Sequence, residues 1–199
     1  MTSHRRQPPP RLGRRQGLHQ GRRQGFTLIE LLIVVAIAVL LITLAAPSVR
    51  ELLAVQRLQG IHATLVTDLQ FARSEAARRR RDLILEVSSD TNGSCYVIFA
   101  DAFGAGSCDC RRPAGSVCSG AFEEVRTVQV PRSSTVALAA SSSVSSRATF
   151  EKETGYSKPG DFTVELEGQT RGRLRVTVNP TGRASSCSPD GSIQQVPRC

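Results

Sequence analysis

The sequence predicts an α+β chain, with a long N-terminal helix packed on an antiparallel β-sheet domain. Three observations predict it. From Phe26 to Ala46 run 21 residues in which Glu30 is the only charge. After Pro47, the residues Leu58, Ile61, Leu65, Leu69, Ala72 and Ala76 recur at intervals of three and four, the mark of one apolar helix face. Beyond Asp82 the apolar period shortens to two and β-branched residues appear, as strands require. The organisation expected is a basic leader over 1–25, a membrane-spanning helix over 26–46, an amphipathic helix over 47–81 and a β-rich globular domain over 82–199.

Residues 1–25 hold seven arginines (Arg5, Arg6, Arg11, Arg14, Arg15, Arg22 and Arg23) and no acid, so the formal charge of +9 falls to +2 for the remainder. Cations beside an apolar run keep that end in the cytoplasm, which sends everything after Pro47 to the periplasm. A bilayer core needs about 20 apolar residues in a helix. A carboxylate in such a span costs about 2–4 kcal/mol near its centre and less near its end, where Glu30 lies. A secretory signal peptide fits poorly: its apolar core is about 7–15 residues long and ends in a small-residue cleavage site. Here the run is longer, Glu30 interrupts it, and Pro47 follows Ala45-Ala46. Only Lys152 and Lys158 accompany the arginines, so arginine richness reads as a composition bias and by itself says little about nucleic acid.

Past the span, the polar helix face carries Arg57, Gln59, Asp68, Gln70, Arg73 and Glu75. From Phe26 to Arg80 the helix would be roughly 80 Å long. Pro47 removes one backbone hydrogen bond and is expected to kink or locally melt it. The Arg78–Arg81 run offsets the helix dipole and marks the stop, a better reading than a DNA or lipid patch. His62 is the only histidine after the leader and is expected on the helix surface, without a partner for metal or acid–base work.

Strands are expected at Leu83–Val87, Cys95–Phe99, Val125–Val130, Thr135–Ala139, Ala148–Phe150, Phe162–Leu166 and Leu174–Val178. Between them lie turns at Asn92-Gly93, Gly104–Gly120, Ser141–Ser146 and Lys158-Pro159-Gly160. The 118 residues after Arg81 suit one core. All six cysteines (Cys95, Cys108, Cys110, Cys118, Cys187 and Cys199) follow the helix, and an even number in an oxidising periplasm reads as disulfides. Cys187 and Cys199 bracket a Pro-, Gly- and Ser-rich tail and are the favoured pair. Cys108 and Cys110 sit too close to prefer each other, which leaves Cys95 and Cys118 as their partners. The sequence does not choose the connectivity, and a zinc site from Cys108, Cys110 and Cys118 is the alternative, although the usual knuckle spacing is missing.

The run Gly25-Phe26-Thr27-Leu28-Ile29-Glu30, followed by its apolar stretch, resembles the prepilin signal of type IV pilins and type II secretion pseudopilins. The resemblance implies a type IV pilin-like fold, leader cleavage between Gly25 and Phe26 by prepilin peptidase, N-methylation of Phe26, and Glu30 as the assembly carboxylate. It also implies other pilin or pseudopilin subunits and an inner-membrane assembly platform as partners, with an inner-membrane protein that can be drawn into a filament. Once cut, Glu30 becomes the fifth residue, in a first turn whose dipole favours negative charge. Within that family, Asp68-Leu69-Gln70-Phe71-Ala72-Arg73-Ser74-Glu75-Ala76 resembles the D-L-x-x-A-R-S-E-A stretch of the GspH/FimT branch. Phe150 to Gly155 and the Val178-Asn179-Pro180-Thr181-Gly182-Arg183 ending support it.

Two functions compete in that branch. One is a structural minor pseudopilin that supports filament assembly and protein secretion. The other is a FimT-like minor pilin that binds DNA for uptake through a Gly-Arg-x-Arg motif. Here Gly182-Arg183-Ala184-Ser185 lacks the second arginine. Arg171, Arg173 and Arg175 alternate along a strand and, with Arg183 and Arg198, would make a basic end whose phosphate contacts are sequence-independent and salt-sensitive. A sheet edge defended by charge is the plainer reading. No phosphate loop, histidine-containing metal set or Ser/His/Asp arrangement is present, and Glu123-Glu124 and Glu165/Glu167 read as solvated faces. The chain is expected to be no enzyme and to need no cofactor or metal.

Overall fold

A computed structural model of the protein describes residues 25–199 except 102, 103, 114, 142–145 and 169–171. The leader arginines and Arg171 lie outside the described residues. The chain divides into two compact units, Met1–Leu44 and Ala45–Cys199. Helix α1, Leu28–Arg79, contributes to both.

In the first unit the helix starts at Thr27. Its Oγ1 accepts the Glu30 N–H at 3.3 Å and its carbonyl accepts the Leu31 N–H at 3.1 Å. Thr-x-x-Glu is the capping-box pattern, so the residue types at the motif also begin the helix. Side chains from Leu28 to Leu44 are exposed all round; Leu40 is 63% exposed and Leu44 76%. Among the described residues this helix is the one long and apolar enough to cross a membrane. Thr43 Oγ1 donates to the Leu40 carbonyl at 2.8 Å, which hides its hydroxyl inside the apolar run.

In the second unit the helix runs through Pro47 without losing its helical assignment, so the local melting expected there is absent. Proline's fixed φ suits a helix, and what it costs there is one missing donor and crowding of its ring against the carbonyl four residues back. Ser48 Oγ donates to the Ala45 carbonyl at 2.8 Å nearby. The helix stops at Arg79, two residues short of the expected end. Arg80 turns left-handed at φ 53°, and the Arg81 N–H reaches back to the Ala76 carbonyl at 3.3 Å, a Schellman closure.

Among the described residues eleven strands follow: β1 Leu83–Asp90, β2 Gly93–Ala100, β3 Gly106–Cys108, β4 Cys118–Gly120, β5 Glu123–Pro131, β6 Val136–Ser141, β7 Arg147–Phe150, β8 Ser157–Lys158, β9 Phe162–Gly168, β10 Arg173–Val178 and β11 Ala184–Cys187. Instead of one sheet they form two larger ones, ordered β5-β2-β1-β7-β8 and β11-β10-β9-β6, plus the β3-β4 hairpin. Every ladder is antiparallel. Helix residues Leu58, Leu65, Leu69, Ala72 and Ala76 join Leu85, Tyr96, Ile98, Phe150, Phe162, Leu166 and Val176 in one core.

A smaller cluster lies on the other face of β2, where Cys95, Val97 and Phe99 meet Cys110 and Val117. Two cores therefore replace the single one expected. The unbroken apolar run of β2 is what allows it, since alternate side chains enter opposite faces. Disulfides Cys95–Cys110 and Cys108–Cys118 staple the loop that covers this second face. Cys187–Cys199 closes the tail, whose Ile193 is 3% exposed in the main core. With every cysteine paired, no thiolate is left for the zinc alternative.

Candidate functional site

Gly25, Phe26 and Thr27 precede the helix without regular structure, and Phe26 is 82% exposed. A Cβ built on Gly25 would meet nothing within 4 Å. Nothing in the described chain therefore demands glycine there. Glu30 is exposed on the first helical turn.

The Asp68–Ala76 stretch divides its work by helix face. Leu69, Ala72 and Ala76 enter the core at 1% exposure or less. Asp68, also 1% exposed, accepts from Tyr96 OH at 2.8 Å and from Arg126 Nη1 at 2.5 Å, which ties the helix to β2 and β5. Burial, and then the Asp68 carboxylate, push the Tyr96 phenol well above its usual range. Glu75 receives Arg78 Nε at 2.7 Å and Arg79 Nε at 2.6 Å, and hydrogen bonds from these two guanidiniums pull its carboxyl down to about 2. Arg79 and Arg81 also reach Glu123, at 2.9 and 3.3 Å. Arg78, Arg79 and Arg81 at the helix end are thus held by ion pairs, and the exposed Glu123 takes part in that network.

His62 is half-buried and shares a 2.9 Å hydrogen bond with Ser186 of β11, in place of the exposed position expected. Burial lowers its pKa below the usual 6.5. Above that value both folded and unfolded chains carry neutral imidazole. Below it the unfolded chain binds the extra proton, so this contribution to stability is full at neutral pH and falls as pH drops through the window just under 6.5. Melting temperature is expected to decline between about pH 6.5 and 5, and His62→Gln is expected to flatten that part of the profile.

Three stretches separated in sequence meet at Arg73. The 151–156 turn is closed by the Gly155 N–H to the Glu151 carbonyl at 2.9 Å, and the 179–183 turn by the Gly182 N–H to the Asn179 carbonyl at 2.8 Å. A Cβ on Gly182 would lie 2.1 Å from the Gly155 carbonyl oxygen and 3.2 Å from Arg73 Cδ; one on Gly155 would lie 3.2 Å from Arg73 Cγ. Both glycines have φ between 60° and 75°, at 64° and 73°, where a side chain is strained in any case. They let the two turns close on each other and on the Arg73 stem. Gln70, Arg73, Ser74, Glu153, Gly182 and Arg183 line a groove of about 550 Å³ there.

The expected basic end is mostly neutralised. Arg173 Nη2 lies 2.9 Å from Glu167 and Arg175 Nη2 lies 2.6 Å from Glu165, each directly across the β9–β10 ladder. Glu165 and Glu167 lie on a solvated face, as expected, and there they are cross-strand partners of the two arginines. Arg198 donates to the Asp190 carbonyl at 3.5 Å, and the Asp190 carboxyl is drawn down to about 2 by the backbone and side chain of Ser192. Arg183 remains exposed.

The family model described as type II transport protein GspH matches residues 63–182, and the prokaryotic N-terminal methylation motif matches residues 20–46. Among solved structures, the type IV minor pilin FimU of Pseudomonas aeruginosa (strain PAO1) is similar at 24% identity, covering 65% of this chain and 87% of that one, with a TM-score of 0.46. No curated protein matches. The GspH match takes in the Asp68–Ala76 stretch, strands β1 to β10 and the turn at Gly182, behind a methylation motif that contains Gly25, Phe26 and Glu30. The chain belongs to the GspH family of type II transport proteins, a pseudopilin family of structural subunits and not of enzymes.

Proposed function

We propose that the chain is a minor pseudopilin that is cut between Gly25 and Phe26 by prepilin peptidase, methylated at Phe26, and inserted into a type II secretion pseudopilus to support its assembly and protein export. The observation that carries this reading is the methylation motif over 20–46, set at the start of an exposed apolar helix and followed by a GspH domain. Residues 1–25 are then the discarded leader, 26–46 the span, 47–81 the amphipathic helix and 82–199 the periplasmic domain. The leader arginines hold the N-terminus cytoplasmic, and an inner-membrane assembly platform draws the helix out of the bilayer. Other pilin subunits are the direct partners. The DNA-uptake alternative is less well supported, because Arg173 and Arg175 already face carboxylates.

In the filament, the Glu30 carboxylate pairs with the free amine of a neighbouring subunit's processed N-terminus. An unpaired charge in apolar surroundings costs several kcal/mol, so the pair enforces register between subunits. Glu30→Ala is expected to leave leader removal intact, because the peptidase acts before assembly, and to abolish incorporation into sheared pseudopili. Wild-type incorporation of this variant, read by immunoblot, would refute the pairing role.

A further inference from the structure

Most arginines of the second unit have an acceptor. Arg78, Arg79, Arg81, Arg111, Arg126, Arg147, Arg173 and Arg175 pair with carboxylates, and Arg132 and Arg198 with backbone carbonyls. Arg73 is different. Among the described residues it is the one half-buried arginine with neither a carboxylate nor a carbonyl against it. Its stem lies against Gly155 and Gly182, where a Cβ on either would crowd it, and Arg73 and Arg183 both line the groove. The other half-buried arginines among the described residues, Arg79 and Arg175, both face carboxylates. We propose that this groove grips an acidic side chain of a neighbouring pilin subunit, with Arg73 and Arg183 as the recognising pair; the proposal rests on the assembly reading above.

The chemistry favours a carboxylate. A guanidinium presents a planar fork that matches one in two parallel hydrogen bonds, and a clamped stem loses little entropy on binding. Groove size favours a side chain over a duplex. Nucleic acid needs a row of phosphate contacts, yet Arg173 and Arg175 are already paired and Glu153 lines the groove itself. The adjoining depression, which shares Ala77 and Glu153 with the groove, adds the exposed Arg80 beside it at the helix end.

The test places a benzoylphenylalanine photo-crosslinker at Gln70, an exposed groove residue, in the full-length chain inside cells that make the secretion machine. A second crosslinker at Leu40 reports incorporation through the apolar helix. The expected result is a Gln70 adduct with another pilin subunit whose yield falls about tenfold in Arg73→Gln and in Arg183→Gln, with Leu40 adducts unchanged. Gln keeps the stem of Arg73; if that variant nonetheless melts early, Arg183→Gln on the exposed turn carries the test alone. An unchanged Gln70 adduct, its absence while Leu40 adducts form, or an adduct to DNA would overturn the proposal and leave assembly standing. Loss of adducts at both positions in the otherwise wild-type chain would remove the assembly reading and the groove with it.

Discussion

Gly25→Leu is expected to leave the precursor uncut, with processing by the cognate peptidase slowed at least about 100-fold, the scale on which small misplacements of reacting groups act. A peptidase must bring the backbone before Phe26 against its catalytic groups, and a branched side chain on the residue that supplies the scissile carbonyl obstructs that approach. The structure makes this variant a clean probe. A Cβ at Gly25 would touch nothing within 4 Å, and the helix begins three residues later at Leu28, capped by Thr27. Folding is therefore unaffected, and any loss of cleavage reports on the enzyme that handles the chain. Co-expression with the peptidase followed by gel mobility and N-terminal sequencing distinguishes the two forms. Cleavage of Gly25→Leu at the wild-type rate would sink processing at this bond.

Asp68→Ala is expected to destabilise the second unit by about 3 kcal/mol, because breaking a buried pair strands its partner. The partner stranded is chiefly Tyr96: its hydroxyl, on a residue with 0% exposure, loses the acceptor that offsets its burial. Arg126 loses less, since its side chain is 48% exposed and can turn to water, which sets the estimate at the low end of the buried-pair range. Asp68→Asn keeps an acceptor for Tyr96 and gives up the charge, so about 1–2 kcal/mol is expected. Thermal melts of the full chain in detergent, followed by circular dichroism, would show a drop of roughly 6–12 °C for Asp68→Ala. A cost under about 1 kcal/mol for Asp68→Ala would show that the helix is held on β2 and β5 by apolar packing alone.

Much of the fold could be read locally. The spacing of Leu58, Ile61, Leu65, Leu69, Ala72 and Ala76 marked a stripe that packs in the core, with Ile61 only partly buried; the seven expected runs fall on strands β1, β2, β5, β6, β7, β9 and β10, with Thr135 alone left outside, just before β6. β3, β4, β8 and β11 escaped notice because they are two to four residues long and rich in Gly and Ser, whereas the equally short β7 carries Ala148 and Phe150 in alternation. β2 carried an unread signal: its apolar run from Cys95 to Ala100 leaves no polar face, so both sides had to be covered.

Among the site residues, the Gly25–Glu30 motif was legible because its chemistry is held in adjacent positions, and so was the family stretch from Asp68 to Ala76. Charges were another matter. That Asp68 would meet Arg126, that Arg173 and Arg175 would face Glu167 and Glu165, and that His62 would be drawn under β11 depend on strand register and on how the helix lies across two sheets. Composition shows only that these groups exist. By itself the sequence determined the apolar span, the helix start, the strand-forming runs and the processing motif, since each rests on neighbours a few positions away. Tertiary structure alone decided the split into two sheets, the ion pairs and the clamping of Arg73 between Gly155 and Gly182, because those contacts join residues far apart in the chain and exist only once the core has closed.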